Sequence, residues 1–174
     1  VELKDFGNYK HIVYIKDDIS ESKLDMKHLS YYLDNGGKIM FFGWNLGKNF
    51  IENTDIFPCY TDSNEIAFEY FKIISYNRTT EKDMKAFIYS YQSMTDTMYF
   101  NDDKLPRNSD GKLPYSGVFE LIDEQTDVLG YYWSDSENPD FHLKNSAYMT
   151  DDTSLIIVNA PLYQMQLNDA KRLI

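Results

Sequence analysis

Cysteine occurs once in the 174 residues, at Cys59, which excludes an internal disulfide and a multi-thiolate metal site. Basic charge is also scarce. Seventeen Lys and Arg stand against 28 Asp and Glu, a formal net charge of −11, with a pI near 4.6. Such a chain is a poor partner for nucleic acid, whose affinity for proteins rests mostly on basic contacts. An anionic membrane surface is disfavoured on the same ground. No apolar run approaches the roughly 20 residues a transmembrane helix needs, so membrane insertion is not expected. An initiator Met and a signal-peptide pattern are absent at Val1-Glu2-Leu3. What the chain does have is apolar weight, 43% hydrophobic and 16% aromatic, enough for a packed core. The length fits one domain over residues 1–174. The chain ends inside Asp169–Ile174, in what reads as the first turns of a helix, and this suggests an excerpt of a longer protein.

The β-branched and aromatic run His11-Ile12-Val13-Tyr14-Ile15 predicts a buried strand. Ser20 or Ser22 can cap a following helix in which Met26, Leu29 and Leu33 share one face. Gly36-Gly37 supplies a left-handed stop, and Lys38–Phe42 follows as a second buried strand. This is a βαβ pattern, whose two strands should run parallel. A short helix is expected to about Glu52, another over about Glu65 to Lys72, and a strand over Lys85–Tyr91. Ser93 to Leu113 is polar and reads as a long surface loop. Strands are expected at Gly117–Ile122, Val128–Trp133 and Ser146–Thr150, and a strongly buried one at Ser154–Ala160, stopped by Pro161. The fold class read from this layout is α/β: a mostly parallel central sheet flanked by helices, with a β-rich insertion in the second half.

Ligands of open α/β sheets bind beyond the carboxyl ends of the strands. Three such ends matter here: Lys16-Asp17-Asp18, Gly43 to Gly47, and Ala160 to Tyr163. The middle one, Gly43-Trp44-Asn45-Leu46-Gly47, has the form of a nucleophile elbow. Its centre is Asn45, whose amide cannot attack a carbonyl. The binding candidates at this crevice are Asp17, Asp18, Trp44, Asn45 and Tyr163; none is assigned a catalytic role.

The stretch "YKHIVYIKDD…LSYYLDNGGKIMFFGWNLG" resembles the class I glutamine amidotransferase-like domain, a flavodoxin-like fold. Noncatalytic versions attached to large secreted bacterial proteins, including peptidases and glycoside hydrolases, are more similar still. The resemblance rests on Gly36-Gly37-Lys38 to Gly43, Phe68 to Ile73 read as a helix, and Pro161-Leu162-Tyr163. It implies an exported setting, extracellular, periplasmic or at the cell surface. It also implies a β-α-β portion before Ile12 that this chain lacks. Catalytic members carry Cys at the elbow and His-x-Glu after a late strand. This chain has Asn45 at the first place and Pro161-Leu162-Tyr163-Gln164 at the second, so the chemistry does not carry over.

Other residues offer further chemistry. His11, His28 and His142 have no metal-like spacing, and neither a metal nor another cofactor is expected. The acidic segment Asp102, Asp103 and Asp110 has the composition of a loose calcium site, though the EF-hand pattern fails at Pro106 and Gly117. Among Asp123, Glu124, Asp127, Asp135, Glu137 and Asp140, a pair of carboxylates could serve glycoside hydrolysis. Tyr31-Tyr32, Tyr131-Tyr132-Trp133 and Trp44 are candidates for stacking on sugar rings or for a protein interface. The leading expectation is a noncatalytic amidotransferase-like accessory domain of a larger exported protein. Its partners would be other domains of the same polypeptide, a partner protein or carbohydrate. The alternative is a carboxylate-dependent hydrolase acting on carbohydrate.

Overall fold

A computed structural model describes residues 3–16, 24–51, 56–78, 84–101, 103–104, 117–134 and 136–173. Strands β1 (His11–Lys16) and β2 (Lys38–Gly43) pair in parallel, with His11 opposite Lys38 and Lys16 opposite Gly43. Helix α1 (Met26–Asp34) joins them. Its N-cap is Asp25, whose carboxylate accepts the His28 N–H at 3.2 Å, while Ser20 and Ser22 lie outside the described residues. Leu29 and Tyr32 are its buried face, and Gly36 takes the left-handed conformation (φ 77°) that stops it.

The remaining elements are α2 (Gly47–Phe50), β3 (Cys59–Tyr60), α3 (Ile66–Glu69), β4 (Ile73–Arg78), β5 (Met84–Tyr91), β6 (Met94–Tyr99), β7 (Gly117–Leu121), β8 (Thr126–Ser134), β9 (Asn145–Thr150), β10 (Leu155–Val158) and α4 (Leu167–Leu173). Seven strands form one mixed sheet in the order β1-β2-β10-β9-β8-β5-β6. Only β1, β2 and β10 run parallel to one another; from the β10–β9 pairing onward every pairing is antiparallel. A second, antiparallel sheet has the order β3-β4-β7.

Strand alternation sends side chains to the two faces of the large sheet, and each face builds its own core. Ile39 and Phe41 of β2, Ile157 of β10 and Tyr148 of β9 meet Leu29 and Tyr32 of α1. The same cluster takes in Tyr76 and Phe119 from the small sheet. On the opposite face Phe42, Val158, Ala147, Tyr132, Phe87 and Met98 pack with Trp44, Phe100 and Met165. The sheet curls around this second cluster. Phe100 bridges to Met165, and the Gln166 N–H donates to the Tyr99 carbonyl at 3.0 Å, so the segment after β10 closes against β6.

This architecture corrects the α/β expectation and the resemblance with it. A flavodoxin-like or amidotransferase-like fold covers both faces of a mostly parallel sheet with helices. Here ten strands stand against four α-helices among the described residues, and two of those helices have only four residues. One face is covered by α1 and a second sheet, and the other by the curl of the sheet itself. Phe68 to Ile73 is not one helix either: α3 ends at Glu69, and Phe71 and Ile73 enter the core as β4 begins. The polar stretch from Ser93 contains β6, whose alternation Thr95, Thr97, Tyr99 was masked by Asp96. No helix among the described residues is long and apolar enough to cross a membrane.

Candidate functional site

The carboxyl ends of β1, β2 and β10 come together as the crevice reading requires, but they are filled by protein. Lys16 closes β1, and its carbonyl accepts the Trp44 N–H at 2.9 Å. A side chain at position 43 would collide with that carbonyl, which accounts for Gly43. The Lys16 ammonium is turned inward, 7% exposed, and donates to Asn49 Oδ1 at 2.9 Å. Asn159, which follows β10, is fully buried. Its Oδ1 accepts the Leu46 N–H at 2.8 Å and its Nδ2 donates to the Gly117 carbonyl at 2.7 Å. One carboxamide thereby ties β10 to the turn after β2 and to the small sheet.

Asn45 sits at the tip of that turn with φ 53°, a left-handed conformation that asparagine tolerates better than most residues. Its Oδ1 accepts the Tyr76 hydroxyl at 2.6 Å. Tyr76 is wholly buried, in a slot that two glycines make possible: a Cβ at Gly47 or at Gly117 would overlap the Tyr76 side chain. Burial pushes this phenol far above its usual range, with the nearby Asn159 carboxamide acting weakly the other way. It stays protonated and donates. The Gly-x-x-x-Gly pattern is therefore explained by close packing against the β1 backbone and a tyrosine ring. An amide, a neutral phenol and a paired ammonium provide neither a nucleophile nor a general base.

The other predicted residues disperse. Asp17 and Asp18 lie outside the described residues. Trp44 is 3% exposed and belongs to the second core, edge-on to Phe100 at 6.3 Å between ring centroids, so its ring is not presented to a ligand. Tyr163 is exposed and lies under Lys104, whose ammonium is 5.1 Å from the ring centroid. Cys59 is buried, its thiol donates to the Tyr76 carbonyl at 3.3 Å, and burial pushes its pKa up, away from a reactive thiolate. Tyr32 and Tyr132 are core, while Tyr31 is exposed. Of the calcium-loop residues, Asp102 and Asp110 are outside the described residues. Among the described residues, no group of His, Cys, Asp and Glu could hold a metal ion.

Sequence reasoning missed Tyr76, Asn49 and Asn159. The one available signal was Asn159 itself, a carboxamide directly after the apolar run Leu155-Ile156-Ile157-Val158. It also missed a groove of ≈ 650 Å³ between the small sheet and the β8–β9 connection. Glu120, Asp123 and Asp140 line it, together with Tyr60, Asn77, Lys144 and others. Asp123 and Asp140 were among the candidate carboxylates; Glu120 was not. No family model matches the chain, and no curated protein matches it.

Proposed function

We propose that the chain is a noncatalytic recognition and assembly domain that accepts a β-strand, from a partner protein or another domain of the same polypeptide, on the open edge of β1. The carrying observation is that edge. The Lys38 N–H donates to the Lys10 carbonyl and the Trp44 N–H to the Lys16 carbonyl, so the even-numbered residues of β1 turn their backbone groups toward β2. His11, Val13 and Ile15 therefore turn theirs outward, and among the described residues no strand pairs with them. Val13 is 62% exposed and Ile15 55%, and both line an apolar hollow along the strand with Ile12, Tyr14, Phe6 and Leu24. Proteins that keep an edge free blunt it with charge, proline or a bulge. β1 is apolar on both faces, the composition of an interior strand. A strand added there gains backbone hydrogen bonds and apolar cover together.

The test is selection of a displayed random-peptide library on the purified chain. Selected peptides should be extended and apolar, and should slow amide exchange at Val13 and Ile15. Val13→Pro should abolish their binding, because it deletes an outward N–H without touching the β2 ladder. Peptides that protect other regions, or that bind Val13→Pro as well as the parent, would sink the reading. Turnover of ester or amide substrates, lost on Asn45→Ala or Cys59→Ser, would remove its noncatalytic half.

A second reading, a carboxylate-dependent hydrolase acting on carbohydrate, draws on the gathering of Glu120, Asp123 and Asp140 along one groove. Release of reducing ends from soluble polysaccharide, lost in both Glu120→Gln and Asp140→Asn, would favour it.

A further inference from the structure

From the groove beside the small sheet we infer a second site, independent of the β1 edge, that binds a neutral oligosaccharide. The three strands set out its floor in rows. Tyr60 stands opposite Ser75, Ser75 opposite Glu120, and Asn77 opposite Val118. Cys59, Tyr76 and Phe119 alternate with these residues and point into the core, so Tyr60, Ser75, Asn77 and Glu120 line the outer face. Asp140, Leu143 and Lys144 from the β8–β9 connection and Asn145 at the start of β9 form the facing wall, with Asp123 beside them. That wall is held in place: the Leu143 N–H donates to the Tyr132 carbonyl at 2.8 Å and the Lys144 N–H to the Phe141 carbonyl at 3.0 Å.

Hydrogen bonding separates this groove from the strand-end cluster. Glu120 accepts the Ser75 hydroxyl on Oε2 at 2.8 Å, which fixes the carboxylate and leaves Oε1 without a partner among the described residues. The side chains of Tyr60, Asn77, Asp123, Asp140 and Asn145 likewise have no partner among the described residues. The cavity thus holds unspent acceptors and amide donors next to a tyrosine that is 66% exposed. Paired hydroxyls of a sugar suit carboxylates and carboxamides, while the C–H face of its ring packs on an aromatic plane. The volume lies within the range of small-ligand sites.

The other ligand classes fit less well. Three carboxylates against one lysine repel phosphate, sulfate and acidic sugars. Along the floor β4 is paired on both sides, to β3 and to β7, so a peptide strand finds no ladder to join on it.

Native gel electrophoresis of the full chain through galactomannan, xyloglucan, mixed-linkage β-glucan and, as the anionic control, polygalacturonate tests the inference. At least one neutral polymer should retard the chain and polygalacturonate should not. Tyr60→Ala and Glu120→Gln should each weaken retardation by about tenfold or more, with the melting temperature of exposed Tyr60→Ala unchanged. Val13→Pro should be retarded like the parent, so failure of the strand-edge proposal leaves this one standing. No retardation by any neutral polymer, equal retardation of both groove variants, or binding of oligolysine in place of polysaccharide would each overturn it.

Discussion

The large sheet has two edges, and they are finished in opposite ways. At β6 the Tyr99 N–H donates to Asp169 Oδ2 at 2.8 Å and the Tyr99 carbonyl accepts from Gln166. Arg172 reaches back to the Thr97 carbonyl at 3.4 Å and forms ion pairs with Asp96 at 3.0 Å and Asp169 at 2.8 Å. The C-terminal helix α4 thus covers an edge strand that is itself polar. At β1 the strand is apolar and nothing among the described residues covers it. Among the described residues the polar edge is the covered one and the apolar edge the uncovered one, the reverse of how a blunted edge is built, and the strand-addition proposal rests on that contrast.

The largest expected effect comes from making the same backbone change on both edges. Tyr99→Pro deletes an N–H that is bonded to a mostly buried carboxylate and should cost about 3 kcal/mol in urea denaturation. Val13→Pro deletes an N–H that faces the open edge and should cost less than about 1 kcal/mol. Equal costs would mean that the two edges are not different in kind. Next in size is Asp169→Ala, which leaves the Tyr99 N–H and the Arg172 guanidinium without their shared acceptor. A loss of about 2 kcal/mol is expected, with faster amide exchange confined to β6 and α4. Exchange that quickens uniformly over the sheet would argue that α4 supports more than this edge.

The two edges also differ in how far their sequences could be read. β1, β2 and β10 are runs of Ile, Val, Leu and Phe, and period and composition both point to strand. β6 reads Met-Thr-Asp-Thr-Met-Tyr; it pairs with the neighbouring β5 across Gln92-Ser93, but it is polar in composition and its cover comes from Asp169, 70 positions away, so its sequence reads as a loop. The βαβ start is legible, but the helix-flanked sheet it suggests does not follow, because the helices after α1 are short among the described residues. The strand-end location of a polar cluster was legible through Gly43, Asn45 and Gly47. Its content was not, because Tyr76 arrives from the small sheet and Asn49 from α2. The groove was invisible for the same reason: strand register brings Tyr60 and Glu120 to one face, and the β8–β9 connection brings Asp140 to it.

A smaller change sharpens the contrast between the satisfied strand ends and the open groove. Tyr76→Phe removes the hydroxyl that Asn45 accepts while keeping the ring in its glycine slot, and should cost about 1 kcal/mol. Tyr60→Phe, on the groove floor, should leave stability unchanged, since that hydroxyl has no protein partner among the described residues. A measurable cost for Tyr60→Phe would mean that the groove is a structural feature like the cluster.

The smallest effect is an acid one, and it separates interior turns from both edges. Asp152 closes the turn between β9 and β10, accepting the Thr150 hydroxyl at 2.6 Å and the Ser154 N–H at 2.9 Å. Partial burial works to raise its pKa, but the hydrogen bonds from Thr150 and Ser154 outweigh it and hold the carboxyl below its ordinary 3.8. Asp25 is lowered as well, first through the His28 side chain at 2.6 Å and then through the His28 N–H. A depressed native pKa means that the ionised form is favoured by folding. The stabilisation is complete above the unfolded value of about 3.8 and disappears as the pH falls through the lower native one. Stability should therefore be flat, as far as these two groups are concerned, from neutrality to about pH 4–5 and decline below it. Asp152→Asn should flatten part of that decline, by less than about 1 kcal/mol given the exposure of the turn. Val13→Pro should leave its shape untouched, because no carboxylate closes the β1 edge among the described residues. A decline that shifts with Val13→Pro but not with Asp152→Asn would place the acid-sensitive contact at the open edge and reverse the distinction drawn here.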